Sequence, residues 1–170
     1  TIVSEIKDLF SYIPLFAGGS VFDRSDIEAV MEAGADGVQI ATRFIATKEC
    51  DASEKFKQTI IEAKEEDMVI LKSPVGMPGR GLITPLVQKA KAGLRTPPIK
   101  CINCIRTCNP ATTVYCINRA LIEAFKGNLQ EGLFFCGGNV GRVKEMTTVK
   151  DLIDELFPRE ISHGIFPGRL

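Results

Sequence analysis

A short apolar run, Ile13-Pro14-Leu15-Phe16, empties into Ala17-Gly18-Gly19-Ser20. One helix length later a second run, Asp36-Gly37-Val38-Gln39-Ile40, empties into Ala41-Thr42-Arg43-Phe44. The order strand, loop, helix, strand, loop leaves a chain few choices. Two strands joined through a helix run parallel with a right-handed crossover, so both loops emerge side by side at the same end of the sheet. Glycine in such a loop lets a ligand approach the backbone, and N–H groups at a helix start attract an anion. The loops Ala17–Ser20 and Gln39–Phe44 together read as a phosphate cradle.

The rest of the composition narrows the class. The 170 residues are 45% hydrophobic and 25% charged, enough to bury a globular core. With zero net charge there is no sign of a nucleic-acid groove or of an anionic membrane partner. No apolar run approaches the ~20 residues that span a bilayer, and no signal peptide is visible. The chain begins at Thr1 without a methionine, which raises the expectation of an upstream segment. Six cysteines in a helical, enzyme-like sequence argue against a secreted disulfide scaffold. A reducing, cytoplasmic location is expected, with a local reason for the four cysteines that fall between Cys101 and Cys116.

Periodicity supplies the elements. Residues 2–10 read as a helix with Ile2, Ile6, Leu9 and Phe10 on one side. Asp23 is the expected N-cap of a helix ending at Ala33, with Gly34 as its C′ glycine. The strand Gly37–Ile40 leads through Ala41-Thr42 into Arg43–Glu49, and Asp51–Lys64 follows as an amphipathic helix with Phe56, Ile60, Ile61 and Ala63 inward. Met68–Leu71 reads as a strand, Ser73–Gly81 as an irregular loop, and Pro85–Ala92, Ile117–Phe125 and Val149–Leu156 as helices. The expected organisation is residues 1–66 as barrel units with the phosphate loops, 67–98 as strand, irregular loop and connector, 99–156 as a cysteine-rich helical appendage, and 157–170 as a tail.

Alternating strands and helices imply an α/β chain with a parallel sheet. Paired phosphate loops after consecutive strands suit a doubly wound sheet or the seventh and eighth strands of a (β/α)8 barrel. A whole barrel takes roughly 250 residues. Only two barrel units are evident here, so this chain does not close a barrel alone.

The string Ile13-Pro14-Leu15-Phe16-Ala17-Gly18-Gly19-Ser20, followed by Gly34-Ala35-Asp36-Gly37-Val38-Gln39-Ile40-Ala41-Thr42-Arg43-Phe44 and on to Glu49, closely resembles the C-terminal half of the nitronate monooxygenase (2-nitropropane dioxygenase) family. That family includes the flavin-dependent enoyl-ACP reductase II enzymes. The resemblance is dense over residues 13–50 and continues through Val75–Pro85 and Gly132–Leu152. It implies the C-terminal part, about strands 7 and 8, of an FMN-binding TIM barrel with a helical cysteine-containing appendage. It also implies that Ala17, Gly18, Gly19, Ser20, Gln39, Ile40, Ala41 and Thr42 hold the FMN phosphate, with N–H groups of Gly18, Gly19, Ala41 and Thr42 as donors. Ala41 stands where the family often has glycine, and Ser20 where an apolar residue or glycine often follows the glycine pair. The family's catalytic histidine lies upstream of residue 1. His163, the only histidine, matches no catalytic motif, so no catalytic residue is assigned.

Cys101-x2-Cys104-x3-Cys108-x7-Cys116 has metal-ligand spacing. Zinc more commonly takes two CxxC pairs or added histidines. The unequal gaps resemble the [4Fe–4S] segment of the 2,4-dienoyl-CoA reductase-like flavin enzymes, in which such a cluster would act as a one-electron relay. Zinc, disulfides and unligated thiols remain the other readings. Cys50 and Cys136 read as buried small hydrophobes.

The expected function is an FMN-dependent oxidoreductase acting on an alkyl nitronate. The alternatives are an NAD(P)H-dependent enoyl-thioester reductase and a non-catalytic half-barrel subunit that binds flavin. Expected partners are a small-molecule substrate and the N-terminal half of the barrel, as an upstream segment or a separate chain. Homo-oligomerisation stays open; nucleic acid and membrane are not expected.

Overall fold

Local signals start and stop the first helices. In the computed structural model, which describes residues 1–158, Thr1 caps α1 (Ile2–Leu9) by accepting from Ser4 N–H. Asp23 caps α2 (Arg24–Glu32), its carboxylate accepting from Asp26 N–H at 3.0 Å while the Asp26 carboxylate reaches back to Asp23 N–H. At the far end Gly34 N–H donates to Met31 O and Ala35 N–H to Val30 O. That is a Schellman motif, and it needs the φ of +103° that Gly34 adopts.

The fold is α/β, and the described chain divides into two compact units: Thr1–Cys50 with the segment from Glu145 onward, and Asp51–Lys144. In the first unit β1 (Phe16–Gly18) and β2 (Gly37–Gln39) form a parallel pair, with Phe16 opposite Gly37, Ala17 opposite Val38 and Gly18 opposite Gln39. α3 (Thr42–Ile45) follows β2, and α7 (Val149–Leu156) returns to the same unit. Its core is Ile27, Leu152 and Leu156, with Val38, Ile40 and Phe44 packed against them. The return is fixed by backbone pairing, Lys48 N–H to Thr147 O at 2.9 Å and Thr147 N–H to Ala46 O at 3.1 Å.

One expectation changes in this unit, the bounds of the first strand. The first strand forms at Phe16–Gly18 rather than Ile13–Phe16, and Phe16 is 67% exposed. α1 forms as expected, but none of its residues is buried. A two-stranded sheet of three residues per strand offers those apolar side chains no opposing layer within the unit. α3 stops at Ile45, because the Thr47 hydroxyl donates to Phe44 O and Thr47 pairs with Thr147 instead of continuing the helix.

The second unit contains α4 (Glu54–Glu62), β3 (Met68–Lys72), β4 (Pro78–Leu82), α5 (Pro85–Lys91) and α6 (Ile117–Phe125). β3 and β4 pair antiparallel, Ile70 opposite Arg80. The Ser73–Gly81 stretch is therefore not irregular throughout. Pro78 occupies the first position of β4, where a missing N–H is tolerated. Gly79 and Gly81 are required by close approach: a Cβ at Gly81 would lie 2.9 Å from Phe134 O, and one at Gly79 would meet the Phe135 ring. Leu82 N–H donates to Phe134 O and Cys136 N–H to Arg80 O, so the apolar run Leu133–Cys136 lies along β4. The core comprises Leu71, Leu86, Val87, Tyr115, Ile117, Ala120 and Leu133. Residues 159–170, including His163 and most of the expected tail, lie outside the described residues.

Candidate functional site

The β1–β2 register decides the geometry of the site. Because Gly18 stands directly opposite Gln39 in a parallel pair, the chain leaves both strands at the same end. The Ala17–Ser20 and Gln39–Thr42 loops therefore emerge next to each other, as the sequence pattern implies. Gly19 and Ser20 have φ of 84° and 61°, two consecutive left-handed residues that turn the chain sharply out of β1. A Cβ on Gly19 would meet nothing within 4 Å, so the backbone there faces open space. A Cβ on Gly18 would touch the Gln39 side chain, at 3.5 Å from Oε1. Gly18, Gly19, Ser20, Gln39 and Ala41 are exposed, and Ala17, Ile40 and Thr42 are half-buried.

The supporting residues fix these loops. Asp36 accepts from Leu15 N–H at 2.8 Å and from Lys7 Nζ at 2.6 Å, while Asp36 N–H donates to Leu15 O at 2.7 Å. This pairing clamps the start of β2 to the approach to β1. The lysine bond and then the backbone bond hold the Asp36 carboxyl below its ordinary range. Arg43 makes a bidentate pair with Glu155, both contacts 2.7 Å, donates to Phe22 O at 3.3 Å and lies 4.6 Å over the Phe22 ring. These bonds employ Arg43 in fixing α7 and the loop after β1. The Arg43 guanidinium in turn lowers the Glu155 pKa.

The start of α2 is capped by Asp23 as expected, its carboxylate accepting from Asp26 N–H. In the turn after β2, Ala41 precedes α3 without a side chain that caps it.

The cysteine segment belongs to the other unit. Cys101, Cys104, Cys108 and Cys116 all line one cavity of about 340 Å³. All six cysteines are free thiols. Among the described residues no three His, Cys, Asp or Glu side chains stand close enough together to hold one metal ion. Cys136 is buried and its thiol is pushed up to about 11 by that burial, and Cys50 is half-buried.

The family model for nitronate monooxygenase matches residues 1–159, which takes in every described residue. The chain belongs to the nitronate monooxygenase family. Nitronate monooxygenases are oxidoreductases, and the curated relatives carry the same description. A probable nitronate monooxygenase of Staphylococcus aureus (strain Newman) is 38% identical over 82 residues, which is 48% of this chain and 23% of the relative. The chain thus spans about a quarter of the curated relatives it matches. FabK from Thermotoga maritima is similar over 92% of this chain and 46% of its own, with a TM-score of 0.72 and 27% identity. Nitroalkane oxidase from Streptomyces ansochromogenes shares the fold over 91% of this chain and 41% of its own, with a TM-score of 0.67 and 21% identity. Among the described residues no helix is long and apolar enough to cross a membrane.

Sequence reasoning missed Asp36 as the clamp between the two strands. Its place beside Gly37 in the family string was visible, but its partners Lys7 and Leu15 lie 29 and 21 residues away.

Proposed function

We propose that this chain supplies the flavin-phosphate end of an FMN-dependent oxidoreductase that acts on alkyl nitronates. One observation carries the reading: the parallel register that sets Gly18 opposite Gln39 and sends both small-residue loops out at one sheet end, in a chain of the nitronate monooxygenase family. The residues fit a phosphate. Gly19 leaves open space where a side chain would otherwise stand, and the neighbouring carboxylates are engaged in the protein's own bonds: Asp23 with Asp26 N–H and Asp36 with Lys7 and Leu15. The loop backbone of Ala17–Ser20 and Gln39–Thr42 would bind the phosphate, and the Gln39 side chain, beside Gly18, would orient the adjoining polar chain. When bound, FMN supplies the electron transfer between substrate and oxygen. Gly18 and Gly19 let the backbone approach the anion, and Asp36 and Arg43 hold the two loops in register behind it. The chain's residues bind and orient; none is assigned a proton transfer.

The remaining strands come from a preceding segment or a separate chain. Parallel sheets are normally covered on both faces and flanked by further strands, whereas β1 and β2 form a two-stranded sheet beside exposed Leu9, Tyr12 and Phe16.

Steady-state assay of the protein as it assembles in the cell, with an alkyl nitronate and oxygen, is expected to give turnover. The similarity to FabK supports a second reading, reduction of an enoyl thioester. NADH with a crotonyl thioester tests it. Turnover of neither substrate overturns both readings.

A further inference from the structure

We propose that Glu155, on the helix that returns from the far end of the chain, is a positioning residue for the two phosphate loops and acts on them through Arg43. The inference rests on the flavin reading of those loops and adds to it a residue 112 positions from Arg43.

Arg43 follows directly on Thr42, at the end of the loop that leaves β2. Its guanidinium donates to Phe22 O at 3.3 Å and stands 4.6 Å over the Phe22 ring. Phe22 lies three residues beyond Gly19, in the loop that leaves β1. One side chain therefore ties the two loops together. What aims that side chain is Glu155, whose two carboxylate oxygens each accept from Arg43 at 2.7 Å. A planar guanidinium gripped at two nitrogens by one carboxylate loses its freedom to rotate, and a single-point cation would not be held in this way.

Stability alone gives this pair little reason to exist. The Glu155 side chain is 54% exposed, and ion pairs of that kind contribute little to folding. The Arg43 side chain is only 15% exposed, so the carboxylate fixes a guanidinium that is largely enclosed between the loops and α7. α7 is itself a firm support. At its start Val149 N–H donates to Glu49 Oε2 at 3.0 Å, and just before it Lys48 N–H donates to Thr147 O at 2.9 Å. Along its length Leu152 and Leu156 pack with Ile27, against Val38, Ile40 and Phe44. The helix is thus anchored to the chain after β2 at its first turn and along its buried side. Glu155, in its last turn, carries that anchoring to Arg43 and so to both loops.

The test compares FMN with riboflavin, which lacks the phosphate, by flavin fluorescence on the assembled protein. A general loss of structure weakens both flavins, whereas displaced phosphate loops weaken FMN alone. Glu155→Gln keeps the size of the side chain and removes one of its two acceptors. It is expected to lower the preference for FMN over riboflavin by at least about threefold, in the range of couplings within one hydrogen-bonded network. Arg43→Met should lower it at least as far, and adding Glu155→Gln to Arg43→Met should change it no further. Ile153→Ala, on the same helix, should leave the preference as it is in the parent. A parent that prefers FMN together with a Glu155→Gln variant that keeps the same preference overturns this inference and leaves the flavin reading standing. Independent, additive losses from Glu155→Gln and Arg43→Met also overturn it, because Glu155 would then not act through Arg43. A parent with no preference for FMN overturns the flavin reading and this inference with it.

Discussion

Gly81 and Gly76 are both glycines in the β3–β4 region, and they are glycine for different reasons. A Cβ at Gly81 would meet the Phe134 carbonyl oxygen at 2.9 Å and Leu133 Cδ1 at 3.2 Å, and the first of these is backbone that cannot swing aside. Gly76 has φ of +92° with nothing within 4 Å of the added atom. Gly81→Ala is therefore expected to destabilise by about 2–3 kcal/mol through overpacking, and Gly76→Ala by about 1 kcal/mol through backbone strain. Urea midpoints of the two variants check the order; a costlier Gly76→Ala would contradict it. Asp36 gives a pH prediction at the same scale. Its folded pKa lies below its ordinary value of 3.8, so its contribution is complete above that value and disappears as the pH falls through the lower folded one. Asp36→Asn should be less stable than the parent at neutral pH, with the gap closing on acidification, as urea midpoints between about pH 5 and about pH 2 would register. A gap that stays constant into acid would show that the carboxylate's charge does not contribute.

Elements whose ends are set by neighbouring residues were readable in the sequence, and those set by distant partners were not. Asp23 and Gly34 bound α2 by bonds within a few residues, so capping chemistry finds both. β4 escapes such reading because its two glycines answer to Phe134 and Phe135, more than fifty residues along the chain. In α1 the apolar stripe predicts the helix, yet none of its residues is buried, since periodicity reports a face and says nothing of what covers it. α7 tests how the first unit is held. Leu152 is fully buried beside Ile27 and Leu156. Leu152→Ala is expected to cost about 2–5 kcal/mol, measured by thermal or denaturant unfolding. The exposed Ile153, 40% accessible on the same helix, should tolerate alanine with a change near ~0.5 kcal/mol. Equal effects at the two positions would contradict the assigned core.

At the scale of the molecule, the first unit is assembled from both ends of the chain, with the Thr47–Thr147 bridge closing it across a hundred residues. Nothing local announces that return, which is why the sequence reads as successive segments. The side-by-side placing of the two loops was legible, because its logic is local: two strand ends, two small-residue loops and one intervening helix. What the sequence could not supply was the clamp by Asp36, which ties the start of β2 to the approach to β1. The central claim is that these loops recognise the phosphate of FMN. It is tested most directly by comparing the binding of FMN and of riboflavin, which lacks the phosphate, to the assembled protein and to a Gly19→Asp variant by flavin fluorescence. The account predicts that FMN binds at least about tenfold more tightly than riboflavin, about 1.4 kcal/mol, and that Gly19→Asp abolishes this preference. Equal affinity for the two flavins, or a preference that survives Gly19→Asp, would contradict it.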